Sequence, residues 1–72
     1  MPIANIKVIE GVFSNAEKQQ MIEKVTEALM EVEGVALREY TTVYIEEVKS
    51  GSWGIGGRVL TTEMVKGTRG GS

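Results

Sequence analysis

The sequence predicts an α+β chain, a β-α-β unit with parallel strands followed by a C-terminal β-hairpin, that functions as an oligomer. Three observations lead there. Two runs of strand-forming residues flank a helix of about five turns with a clear start signal, and a strand-helix-strand order of that length favours parallel strands joined by a right-handed crossover. A short glycine-dense segment follows, suited to a tight hairpin. The whole has only 72 residues and no cysteine, and a domain so small buries only about 60% of its unfolded surface, so association is the remaining source of stability.

The first strand is predicted from Ile3 to Ile9, with Ala4, Ile6 and Val8 on one face and Asn5 and Lys7 on the other. Glu10-Gly11-Val12-Phe13 leaves the strand. Ser14-Asn15-Ala16-Glu17 then has the form of a capping box, in which hydroxyl and carboxylate each satisfy a backbone amide of the first turn. From Ala16 to Val32 the apolar residues Met21, Ile22, Val25, Ala28, Leu29 and Val32 recur every three or four positions, the pattern of a helix lying on a sheet. Gly34 is expected to end it in the left-handed region. Tyr40 to Val48, rich in aromatic and β-branched residues, is the second strand. One helix covers one sheet face, so Ile3, Ile9, Tyr40 and Tyr44 are left to a second subunit.

Ser50 to Leu60 holds the only tryptophan, Trp53, ahead of Gly54-Ile55-Gly56-Gly57. The spacing does not fit the dinucleotide-binding glycine pattern, and a hairpin reaching towards another subunit is expected instead. Thr61 to Lys66 is expected to add one helical turn. Residues 2–66 thus form a single domain, and 67–72, Gly-Thr-Arg-Gly-Gly-Ser, are expected to be a flexible tail, the last residues resembling a cloning remnant.

Composition excludes much chemistry. With no His and no Cys, histidine triads, thiol nucleophiles and common zinc sites are unavailable within one chain, and no metal or other cofactor is expected. A net charge of −2 without a basic stripe speaks against nucleic acid. Nothing resembles a signal peptide or membrane span, so a cytoplasmic protein with small-molecule and self-association partners is expected.

The residue after the initiator is Pro2. Methionine ahead of a small residue is normally trimmed, which would leave a secondary amine at the terminus. An α-amino group titrates near about 8, and an apolar pocket lowers that value, giving a base without histidine. Proline also simply begins edge strands.

Pro2-Ile3-Ala4, the strand ending in Glu10-Gly11, the serine-capped helix, Ile45-Glu46-Glu47-Val48 and Trp53-Gly54-Ile55-Gly56-Gly57 together resemble the 4-oxalocrotonate tautomerase family over about residues 2–65. The resemblance implies a tautomerase-like subunit, paired into dimers and hexamers, in which Pro2 as general base carries a proton from a dienol oxygen to carbon. Such acids arise in aromatic degradation. It also implies that Trp53 walls the pocket and keeps the amine's pKa low by desolvation. Two arginines that bind substrate carboxylates in the family have Val12 and Thr42 in their places, so Arg38, Arg58 or Lys7, from the same or a neighbouring chain, are the candidates to take that charge. Alternatives are a hydratase or dehalogenase variant of the same chemistry, or a non-catalytic oligomeric assembly module, natural or engineered. Trimers and dimers are the alternative assemblies.

Overall fold

The computed structural model describes residues 1–70. The β-α-β unit is present: β1 (Ile3–Ile9), α1 (Asn15–Glu33) and β2 (Thr42–Val48), with β1 and β2 parallel. Ile3 lies opposite Thr42 and Ile9 opposite Val48. Ala4, Ile6 and Val8 share a face with Val43, Ile45 and Glu47, and this face carries α1. There Lys18 of the helix pairs with Glu47 at 3.3 Å. On the other face the Asn5 amide donates to the Glu46 carboxylate.

The capping box forms as the sequence predicts: the Glu17 amide donates to the Ser14 hydroxyl at 3.1 Å and the Ser14 amide to the Glu17 carboxylate at 2.9 Å. At the far end the Gly34 amide donates to the Met30 carbonyl at 2.9 Å. Gly34 has φ 99° and ψ 151°, a positive-φ extended conformation rather than the left-handed helical one expected, and only glycine adopts it cheaply.

The second strand begins two residues later than predicted. Val35–Tyr40 form a 3-10 helix, because Thr41 closes the turn: its amide donates to the Arg38 carbonyl at 3.2 Å and its hydroxyl lies 3.0 Å from the Leu37 carbonyl. Local hydrogen bonds therefore override the strand preference of Tyr40. The ladder starts where the Thr42 amide donates to the Pro2 carbonyl at 3.1 Å.

The hairpin is β3 (Trp53–Ile55) and β4 (Arg58–Leu60), antiparallel, turning through Gly56 and Gly57. Both glycines have positive φ, 58° and 84°, as the favoured two-residue hairpin turn requires. Glu10 ties it to the strands. The Glu10 amide donates to Val48, its carboxylate accepts from the Ser50 amide at 3.1 Å, and its carbonyl accepts from the buried Thr62 hydroxyl at 2.6 Å. Ser50 in turn accepts from the Thr62 amide at 2.9 Å.

Helix α2 (Thr62–Thr68) is longer than the predicted single turn and reaches into the segment expected to be a flexible tail. Arg69 holds its end in place. The guanidinium donates to the Glu17 carboxylate at 2.7 Å and the Val12 carbonyl at 3.1 Å, and lies 4.8 Å from the centre of the Phe13 ring. Residues 71 and 72 of that segment lie outside the described residues.

Little of this is deeply buried. Val8, Ile9 and Val12 are the buried apolar residues among those described, while Ile3 and Val32 are 71% and 89% exposed. The radius of gyration, 14.7 Å, exceeds the roughly 11 Å of a compact domain of this length. The accessible surface, 5177 Å², likewise exceeds the roughly 4,400 Å² of a folded monomer of this mass. Among the described residues no helix is long and apolar enough to cross a membrane.

The hydrogen bond from Arg69, reinforced by the Ser14 amide, holds the Glu17 carboxyl at a pKa of about 2, against an ordinary 4.5. The folded state thus favours the carboxylate, so its contribution to stability is complete above about pH 5 and is lost as the pH falls towards 2. An Arg69→Met variant should raise the Glu17 titration midpoint, followed by carboxyl NMR, and shift the acid-unfolding midpoint to higher pH. An unmoved Glu17 titration would show that Arg69 does not hold it.

Candidate active site

Pro2 stands at the entrance to β1, half-buried, with its carbonyl fixed by Thr42. With Leu29, Val32, Glu33, Leu37 and Met1 it lines an open cavity of about 390 Å³. Joined to Met1, the proline nitrogen is a tertiary amide with neither a proton nor basicity, so only a trimmed terminus can act as a base. Glu33 is the charged side chain of this lining. One of its oxygens accepts from the Thr41 hydroxyl at 2.5 Å; the other is buried and has no hydrogen-bond partner among the described residues. Sequence analysis did not single out Glu33, since nothing in helical periodicity separates it from the solvated glutamates before it.

Trp53 belongs to a different cavity. It opens β3 and, with Lys7, Val8, Ile9, Phe13, Ile55, Leu60 and Val65, lines a mostly apolar space of about 270 Å³. Lys7 and Trp53 also border a neighbouring recess with Val48, Ser52 and Gly54. Lys7 is the one charged residue among those lining either space. From Pro2 to the β1 residues of this cavity is roughly 17 to 23 Å, at about 3.3 Å per strand residue. Within one chain the two predicted site residues therefore do not meet.

The candidate arginines separate as well. Arg38 pairs with Glu27 at 2.9 Å, both half-exposed, and lines a groove along the polar side of α1 with Glu23, Lys24 and Glu31. It borders neither the Pro2 nor the Trp53 cavity. Arg58 lines an adjoining space that shares Ile55, Leu60 and Val65 with the Trp53 cavity. At the two positions without an arginine, Val12 is buried and Thr42 is exposed on the face of β2 away from α1. Among the described residues no group of carboxylates is placed to hold a metal ion.

This arrangement offers an apolar pocket with a lone cation and, separately, a potential amine base. Comparison with known proteins gives it a chemical context. The tautomerase enzyme family pattern matches residues 2–63, beginning at Pro2. A 2-hydroxymuconate tautomerase of Pseudomonas putida is 44% identical over 57 residues, covering 79% of this chain and 87% of the relative. One from Bacillus subtilis is 36% identical over 61 residues, covering 85% and 95%. Among solved structures, a 4-oxalocrotonate tautomerase isozyme from Methylibium petroleiphilum superposes with a TM-score of 0.72 at 39% identity, covering 89% of this chain and 97% of that one. With its β-α-β unit and C-terminal hairpin, the chain belongs to the tautomerase family and is an isomerase.

Proposed function

We propose that this tautomerase converts an enol or dienol acid to its keto form, with the Pro2 amine, freed by loss of Met1, as general base. The family match beginning at Pro2 carries the proposal, because it starts at the residue whose nitrogen becomes basic on trimming. The amine removes the enol proton, the O–H electrons form the carbonyl, and the displaced C=C pair takes a proton from the prolyl ammonium at carbon. The relatives' substrate, 2-hydroxymuconate, is a dienol dicarboxylate, and an unsaturated acid from aromatic breakdown in the cytoplasm suits this site.

The working site is shared between chains: Pro2 of one subunit meets the Trp53 cavity of another. Two observations support this. Pro2 and the Trp53 cavity lie at opposite ends of β1, and the chain's accessible surface exceeds that of a folded monomer of its mass. A hexamer, three pairs of chains, satisfies both. In the shared pocket Trp53, Ile9, Phe13 and Leu60 exclude water and disfavour the ammonium form, while Lys7 takes the substrate carboxylate. An ammonium attracts as a point charge and lacks the two-pronged geometry of arginine, so selection for a dicarboxylate should be weak.

On protein whose intact mass shows loss of Met1, ketonisation of phenylenolpyruvate should rise with pH through one group titrating below the ordinary α-amino range. Chains retaining Met1 should be inactive, and Pro2→Ala should keep a weak remnant. Lys7→Ala should lower kcat/KM about tenfold, the scale of one charge-assisted hydrogen bond, with Arg38→Ala close to the parent. Equal losses at Lys7 and Arg38 would remove Lys7 from this role, and full activity with Met1 retained would remove Pro2. Light scattering should report a hexamer, and a stable monomer at micromolar concentration would contradict the shared site.

A further inference from the structure

Glu33 poses a question that the reaction above does not answer. Buried polar atoms are nearly always hydrogen-bonded, and a buried carboxylate oxygen without a donor is costly. Glu33, which lines the cavity with Pro2, keeps such an oxygen. Two successive residues bind the pair together. The Thr41 hydroxyl holds the other carboxylate oxygen of Glu33, and the Thr42 amide holds the Pro2 carbonyl. Helix end and strand start are thus fixed against each other through one stretch of backbone.

We infer that Glu33 is a positioning residue for the mature terminus: its unpaired oxygen accepts the N–H of the Pro2 amine once Met1 is removed. This rests on the reading of Pro2 as the base. A neutral prolyl nitrogen carries one hydrogen and one lone pair, so a fixed hydrogen aims the lone pair at the substrate. After proton abstraction the ammonium carries two hydrogens. One remains on Glu33, and the other is delivered to carbon.

Within its own chain Glu33 is the charged side chain that lines the cavity with this amine, and in the shared pocket Lys7 of the neighbouring chain adds a cation that parent and Glu33 variants have in common. From α1, Leu29 and Val32 line the cavity beside it, and the 3-10 segment contributes Leu37 while its Arg38 is turned to Glu27. From β1 come Pro2 and Met1, whose own amine departs with trimming. The β2 side supplies the neutral Thr41 and Thr42. Apolar walls lower the amine's affinity for a proton and Glu33 raises it, so removing the carboxylate's charge should move the balance in one direction.

The test is the pH profile of kcat/KM for phenylenolpyruvate in Glu33→Gln beside the parent, both trimmed and both shown by light scattering to share one assembly. The midpoint of the rising limb should fall by about one unit, the lower end of the effect of a nearby opposite charge, and Glu33→Leu should in addition lose kcat at every pH. A Gln variant whose midpoint stays at the parent's value overturns the role of Glu33 while leaving Pro2 as the base. Activity that persists in chains retaining Met1 overturns the underlying reading instead. If neither variant assembles, carboxyl NMR of the parent decides. The Glu33 signal should shift at the pH of the activity midpoint, and a signal that stays flat through that pH overturns the inference.

Discussion

The register of two parallel strands governs this molecule. It is set at one end by the Thr42 amide on the Pro2 carbonyl and at the other by the Glu10 amide on the Val48 carbonyl. A one-residue slip of β1 would turn Ala4, Ile6 and Val8 away from α1 and leave Asn5 and Lys7 beneath it. The same register assigns chemistry to the ends of the sheet. Pro2 and Glu33 gather where the strands begin; Trp53, Lys7 and the hairpin gather where they finish. A β-α-β unit with one helix cannot fold back to join those ends.

That separation and the thin core are consequences of the same economy of length. With Val8, Ile9 and Val12 as the buried apolar residues among those described, one chain has too little interior to shield an amine from water. Apolar surface left bare at Ile3, Val32, Tyr44 and Val59 is available to neighbouring chains. On the proposed shared site, assembly serves stability and catalysis together, since contacts that cover the chain would also complete a pocket. Residues past the family match also brace the subunit. Arg69 reaches 52 positions back to Glu17 and joins the second helix to the cap of the first.

Much of this was legible in the sequence because it is local. Alternation in β1, the Ser14 and Glu17 capping box, the three- and four-residue spacing of α1 and the Gly56-Gly57 turn each express a rule spanning a few residues. The start of β2 was misplaced because the Thr41 amide's bond to the Arg38 carbonyl, closing the 3-10 turn, outweighs the strand preference of Tyr40. The end of the chain was misread because Gly67 and Gly70 resemble breakers, and the anchor of Arg69 exists only across a long sequence separation. Of the proposed site, Pro2 and Trp53 were singled out from their order and neighbours. Sequence could name Arg38, Arg58 and Lys7 as cations but not where each points, and a buried oxygen such as that of Glu33 becomes visible only once the chain packs around it.

A site shared between chains is most directly tested by complementation. One inactive partner retains Met1 and has an intact Trp53; the other has a free Pro2 and carries Trp53→Ala. Unfolded together, mixed equally and refolded, random pairing should restore parent-like turnover to about a quarter of the sites, each joining a free Pro2 from one chain to Trp53 of the other. If the site lies within a single chain, the mixture will show only the average of its two parents, and that result would contradict the account.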